Sequence, residues 1–196
     1  MKRVFNILMI FMVVSFVFMP TSSAWTWKTH SDIADSVYYK MPHNVQKKLS
    51  LSAMRDGSND PDEKFHDFRS HSYPYSYTRA TNWLNKGKYY YRTGKYKQAS
   101  YCFGVASHYI SDTFSAPHCV SGESSSAHTK YENQAKSLKP VITYRSGSLN
   151  TLMKNGYSQG KTSWKNWSKK KNRAYVQYNL NNGASASYTA IRSCVY

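Results

Sequence analysis

Between Gly104 and Glu132 the chain reads GVASHYISDTFSAPHCVSGESSSAHTKYE, and no other stretch limits the fold as strongly. It holds five side chains of the kind that ligate metal. His108 and Asp112 lie four apart, His118 follows Pro117, and His128 and Glu132 again lie four apart. A spacing of four puts two side chains one turn apart on one helix face, where both can reach a common ion. A lone His four residues from an acid is ordinarily a polar pair. Two such pairs plus His118 within 25 residues, in a stretch with few other charges, point to metal instead. Imidazole and carboxylate are the ligands zinc takes outside all-cysteine sites. The number of groups implies more than one ion.

The same stretch organises the secondary structure. Lys95 to Phe114 reads as a helix with Ala99, Cys102, Phe103, Ala106 and Ile110 on one side and Gly104, His108 and Asp112 on the other. An apolar back and a metal-binding front would both be buried, which makes this the central helix of a bundle. Ala127 to Leu138 reads as the next helix, perturbed by Pro140. Upstream, helices are expected over Ser31 to Met41, Pro42 to Ser50 and Tyr77 to Arg92. Gly57 to Pro74 reads as a loop through GSNDPD and RSHSYP. After Tyr144 the periodicity weakens, with Gly147, Gly156, Gly160 and Gly183 interrupting amphipathic segments. Trp164, Trp167, Tyr175 and Tyr178 are available to dock one or two C-terminal helices. There is no strand-like alternation and no internal repeat. The expected architecture is all-α: a compact helical bundle with a multinuclear zinc site in a cleft.

Met1 to Ala24 reads as a secretory signal, with Lys2 and Arg3 ahead of an apolar run that ends at Pro20, and Ser22-Ser23-Ala24 at the cleavage site. The run is short for a membrane span, which needs about 20 residues. The mature chain would begin at Trp25. Residues 25–145 would form the catalytic domain, and 146–196 a helical part of the same domain or a small extension. The net charge is +17, and removing Lys2 and Arg3 leaves +15. So basic a surface favours anionic partners: phosphate groups, nucleic acid, acidic lipid or wall polymer. Three cysteines, Cys102, Cys119 and Cys194, allow one disulfide and leave one thiol over.

The motifs SHYISD (107–112), APH (116–118) and HTKYE (128–132) resemble those of the zinc-dependent phospholipase C and single-strand nuclease superfamily, closest to the bacterial phospholipases. The resemblance is specific over residues 57 to 135. It implies three zinc ions held by nine residues. Asp62, His71, His108 and Asp112 would hold the first, and His118, His128 and Glu132 the second. Trp25, His30 and Asp112 would hold the third, Trp25 through its free amine and its carbonyl, with Asp112 bridging two ions. His71 in SHSY is preferred to His66, and Asp62 to Asp60. His43 has no partner in the pattern. Asp62 is also the candidate to orient or deprotonate the attacking water.

The implied activity is that of a secreted phosphodiesterase that hydrolyses phospholipids by a zinc-activated water at a membrane surface. The five-residue step from Trp25 to His30 resembles the nucleases, which keeps single-stranded nucleic acid as an alternative substrate. A third reading is a non-enzymatic, basic surface-binding protein with structural zinc. No protein partner is implied.

Overall fold

The computed structural model describes residues 25–196, so the expected signal segment, residues 1–24, lies outside the described residues. Among the described residues eight α-helices follow one another: α1 (Trp27–Lys40), α2 (His43–Gln46), α3 (Leu51–Glu63), α4 (Tyr75–Arg92), α5 (Tyr96–Asp112), α6 (Ser125–Ala135), α7 (Leu149–Lys170) and α8 (Arg173–Val195). Single 3₁₀ turns, Phe68–Ser70 and Ala116–Cys119, link α3 to α4 and α5 to α6. No strand occurs among the described residues, and the all-α bundle is as expected.

Helix α5 is the axis of the molecule. From Cys102 to Asp112 every residue is buried, so both faces read from its sequence pack against other helices. Helices α3, α4 and α8 surround it. Several helices start at a side-chain cap. Ser50, Ser124 and Ser148 accept hydrogen bonds from the backbone N–H groups of Ala53, Ala127 and Thr151, and Asn172 accepts from Ala174. Each cap satisfies a donor that the helix cannot satisfy itself.

The sequence-based expectation of a loop from Gly57 fails. Gly57 to Glu63 is the last half of α3, with Pro61 inside the helix. The reason is tertiary. A Cβ on Gly57 would collide with the carbonyl oxygen of Tyr101, and one on Gly104 with that of Met54. The two glycines let α3 and α5 cross backbone to backbone, and that contact outweighs the local turn preference of GSNDPD. The C-terminal glycines have a similar explanation. Gly156 and Gly160 do not interrupt α7; they lie against the Phe114 ring and the Cys119 side chain. A 22-residue helix therefore runs where periodicity alone showed only fragments.

Helix α8 runs antiparallel to α5: Gly183 lies against Ser111, and the Ser187 hydroxyl reaches the Ser107 carbonyl. Much of the aromatic content fills the core, where Trp25 packs on Tyr131 and Tyr131 on Trp164 and Trp167. The cysteines do not pair: Cys102, Cys119 and Cys194 are all free and buried, so the one disulfide that their number allows is not formed. No helix among the described residues is long and apolar enough to cross a membrane.

Candidate metal centre

Six segments bring side chains of the ligating kind to one place. The buried face of α1 carries His30, and the last turn of α3 carries Asp62. The Phe68–Ser70 turn delivers His71, and the Ala116–Cys119 turn carries His118. The inner face of α5 supplies His108 and Asp112, and α6 supplies His128 and Glu132. Three sets of ligating atoms result, each within 4.8 Å: His30, His108 and Asp112; Asp62, His71 and His108; and His118, His128 and Glu132.

Asp112 lies at the centre. Its Oδ1 is 3.4 Å from His30 Nε2, while its Oδ2 is 3.3 Å from His71 Nδ1 and 3.1 Å from His108 Nε2. Asp62 Oδ1 lies 3.4 Å from His71 Nε2 and 3.7 Å from His108 Nε2. The His30 and His108 rings stack at 4.0 Å. His118 links the two halves of the cluster, with ring centroids 5.7 Å from His71 and 5.1 Å from His128.

These residues fit zinc. Four ligands at ~2.0–2.1 Å in a tetrahedron lie about 3.3 Å from one another, which is the spacing around Asp112. His30 Nε2, His71 Nδ1, His118 Nε2 and both carboxylate oxygens of Asp112 are buried and make no hydrogen bond among the described residues. Buried polar atoms left this way are costly unless something else satisfies them. Several neutral imidazoles and two carboxylates converging on one point are a cation-binding set.

The electrostatics agree. Burial lowers the pKa of His30 and His71 and takes His118 down to about 3, so their nitrogens keep their lone pairs at neutral pH. Burial opposes charge on Asp112, but His108, His30 and His71 outweigh it and hold the carboxyl well below the usual range. Burial also lowers His108, and Asp112 outweighs it, so His108 is raised. Burial raises Glu132 to about 7; His128, 2.7 Å away, is raised because the attraction of Glu132 exceeds its own burial cost.

Other residues hold the ligands in place and were missed in the sequence. The Ser58 carbonyl lies 2.8 Å from His108 Nδ1, which turns Nε2 inward. Asp67 accepts from Tyr109, Ser70 and Arg79 and so ties the turn before His71 to α5 and α4. Glu123 Oε1 lies 3.3 Å from His128 Nδ1. Its one sequence signal is that it is the only acid between Asp112 and Glu132. Backbone carbonyls and carboxylates behind a histidine are usual partners of metal ligands.

The remaining sequence candidates fall outside the three sets. Asp60 accepts from the Tyr101 hydroxyl at 2.7 Å and pairs with Lys64. His66 is exposed in a left-handed backbone conformation, and His43 is exposed at the start of α2. Trp25 is fully buried, and its indole donates to the Ser111 carbonyl beside Asp112. Cys119 turns its thiol to the carbonyls of Thr113 and Ser115 and takes no part in the three sets.

No curated protein matches the chain. A sequence profile described as zinc dependent phospholipase C matches residues 29–190, from α1 into α8, and so takes in every residue of the three sets; Trp25 lies four residues upstream of its start. A zinc-type ligand cluster buried in an all-α bundle and a profile match over most of the sequence agree: the chain belongs to the zinc dependent phospholipase C family and is a phospholipase C-like hydrolase of phosphoric ester bonds.

Proposed function

We propose that the protein cleaves phospholipids at the phosphate–glycerol bond, after export and removal of residues 1–24. The observation that carries this reading is the adjacency of the three sets: two of them meet at His108 beside Asp112, and the third adjoins them through His118. Asp62, His71, His108 and Asp112 would hold one zinc ion. His118, His128 and Glu132 would hold a second, and Trp25, His30 and Asp112 a third. Bound zinc supplies Lewis acidity toward phosphoryl oxygens and lowers the pKa of water to about 7.

The chain's own groups do the rest. The Ser58 carbonyl accepts a hydrogen bond from the Nδ1 proton of His108 and so leaves Nε2 facing Asp112. Asp62 and Glu132, 6 % and 8 % exposed, lie where the cluster approaches solvent. Asp62 orients the attacking water and takes its proton as the new P–O bond forms. The bond from phosphorus to the glycerol oxygen breaks, and that oxygen takes a proton from solvent water and leaves as a neutral alcohol, while Asp62 returns its proton to solvent. The net charge draws an anionic phosphodiester to the surface.

The test is product release by zinc-loaded protein that starts at Trp25, with phospholipid vesicles and single-stranded DNA in parallel and His108→Ala as the control. Release of phosphorylated head group that disappears in the variant is expected. Cleavage of DNA alone, persisting at moderate salt, would transfer the assignment to the nuclease reading, which the Trp25-to-His30 spacing favours. One residue added ahead of Trp25 removes its free amine, and zinc content should then fall.

A further inference from the structure

Remote from the metal centre, a cavity of about 460 Å³ opens between the C-terminal half of α8, the start of α7 and α4. Its apolar wall includes Leu84, Leu149, Leu152 and Ala190, with Tyr144 and Tyr196 at the side. Arg192 is the one charged side chain in the lining. Its position on α8 is nine residues past Gly183, which packs beside Asp112; that is about 14 Å along the helix axis.

The cavity exists because of how the chain crosses α8. Residues 141–145 run along α8 without regular secondary structure of their own. The N–H groups of Val141, Thr143 and Arg145 donate in turn to the side chains of Asn181, Ser185 and Thr189. A two-residue step in an extended chain matches a four-residue step on a helix. The next rung would join Gly147 to Ser193, but Gly147 turns away at φ +116° toward α7, and the Ser193 hydroxyl donates to the Ala190 carbonyl. The gap left by that missing rung is part of the cavity.

Arg192 is held in an unusual state. Its guanidinium carbon lies 5.2 Å from the Tyr144 ring centroid and 5.3 Å from that of Tyr196, so two phenol rings flank it. Its Nε is buried without a hydrogen bond, and among the described residues Arg192 has no ion pair within 4.0 Å, either with an acidic side chain or with the chain-end carboxylate of Tyr196. The elements around it offer no acidic side chain to form one. From Asn133 to Tyr196 the sequence contains 11 Lys and Arg residues and no Asp or Glu, and α4 has no acid either. A guanidinium oriented by aromatic rings, short of an anion and next to an aliphatic wall, is built to receive a charge from outside the chain.

We propose that this cavity binds an anionic amphiphile: a carboxylate or phosphate head on Arg192 and an aliphatic tail along Leu84, Leu149 and Leu152. The volume is within the range of small-ligand sites, about 300–1,000 Å³. This site is separate from hydrolysis and does not depend on which phosphodiester the metal centre cleaves.

The test is calorimetric titration of the full mature chain at moderate salt with three probes: laurate below its aggregation concentration, decanol and inorganic phosphate. Laurate should bind at one site per chain, at least tenfold tighter than either other probe. Arg192→Gln should weaken laurate about tenfold or more, the loss expected for a charge-assisted hydrogen bond. Arg173→Gln, a basic residue remote from the cavity, should leave laurate binding unchanged and so separate the site from the general positive charge. Tyr144→Ala removes an exposed ring and should also weaken laurate, whether or not Arg192→Gln folds. Equal binding of phosphate or of decanol would overturn the proposal, and so would laurate affinity that ignores both Arg192→Gln and Tyr144→Ala.

Discussion

Asp112 has two oxygens and three histidines around it, within 3.1–3.4 Å. A carboxylate can serve two ions at once, which a neutral imidazole with one lone pair cannot do. Asp112→Asn should therefore lose zinc from two sets, whereas Glu132→Gln should lose it from one. Elemental analysis of the purified variants reads the difference directly, and turnover of Asp112→Asn should fall about 100-fold or more. Two neighbouring acids on α3 should behave in opposite ways. Asp60, bonded to Tyr101 and Lys64, acts on stability: Asp60→Asn should cost about 1–2 kcal/mol in denaturant unfolding with zinc content intact. Asp62, 3.4 Å from His71, acts on the centre: Asp62→Asn should keep most of the stability and lose turnover. A variant pair with these effects exchanged would assign the upstream ligand to Asp60.

At the scale of elements, the metal centre depends on how closely helices can approach. Gly57 and Gly104 let α3 and α5 touch through their backbones, and this crossing carries Asp62 toward His108. Gly104→Ala would put a methyl group against the Met54 carbonyl, with backbone on both sides and no flexible side chain to give way. It should cost about 1–3 kcal/mol and several degrees of Tm, and zinc affinity should fall with it because Asp62 and His108 separate. A methyl group at Gly94 would meet nothing within 4 Å, so Gly94→Ala should strain only the local backbone at φ +76° and leave zinc affinity unchanged.

For the whole molecule, the centre and the core are separate sources of stability. Phe103, Ile110, Leu180 and Ile191 are fully buried apolar groups, none of them a ligand. Zinc bound to the folded chain adds about 4 kcal/mol per ion at a free concentration a thousand times its Kd. Chelation should therefore lower Tm strongly and reversibly, while helical circular dichroism at 25 °C persists. Loss of helix on chelation would mean that metal, not the core, holds the bundle together. What the amino-acid order determined by itself is what a single helix can express. The pairs His108/Asp112 and His128/Glu132 follow from one turn of spacing, and the two buried faces of α5 follow from its period. The motif resemblance groups Asp62 with His71 and His108, and His30 with Asp112, but only the tertiary structure brings these distant groups together, as it does Arg192 with two tyrosines and no acidic side chain. The helical state of GSNDPD and of the glycine-containing α7 was decided there too, because local propensity is a small term beside the packing of one backbone or ring against another.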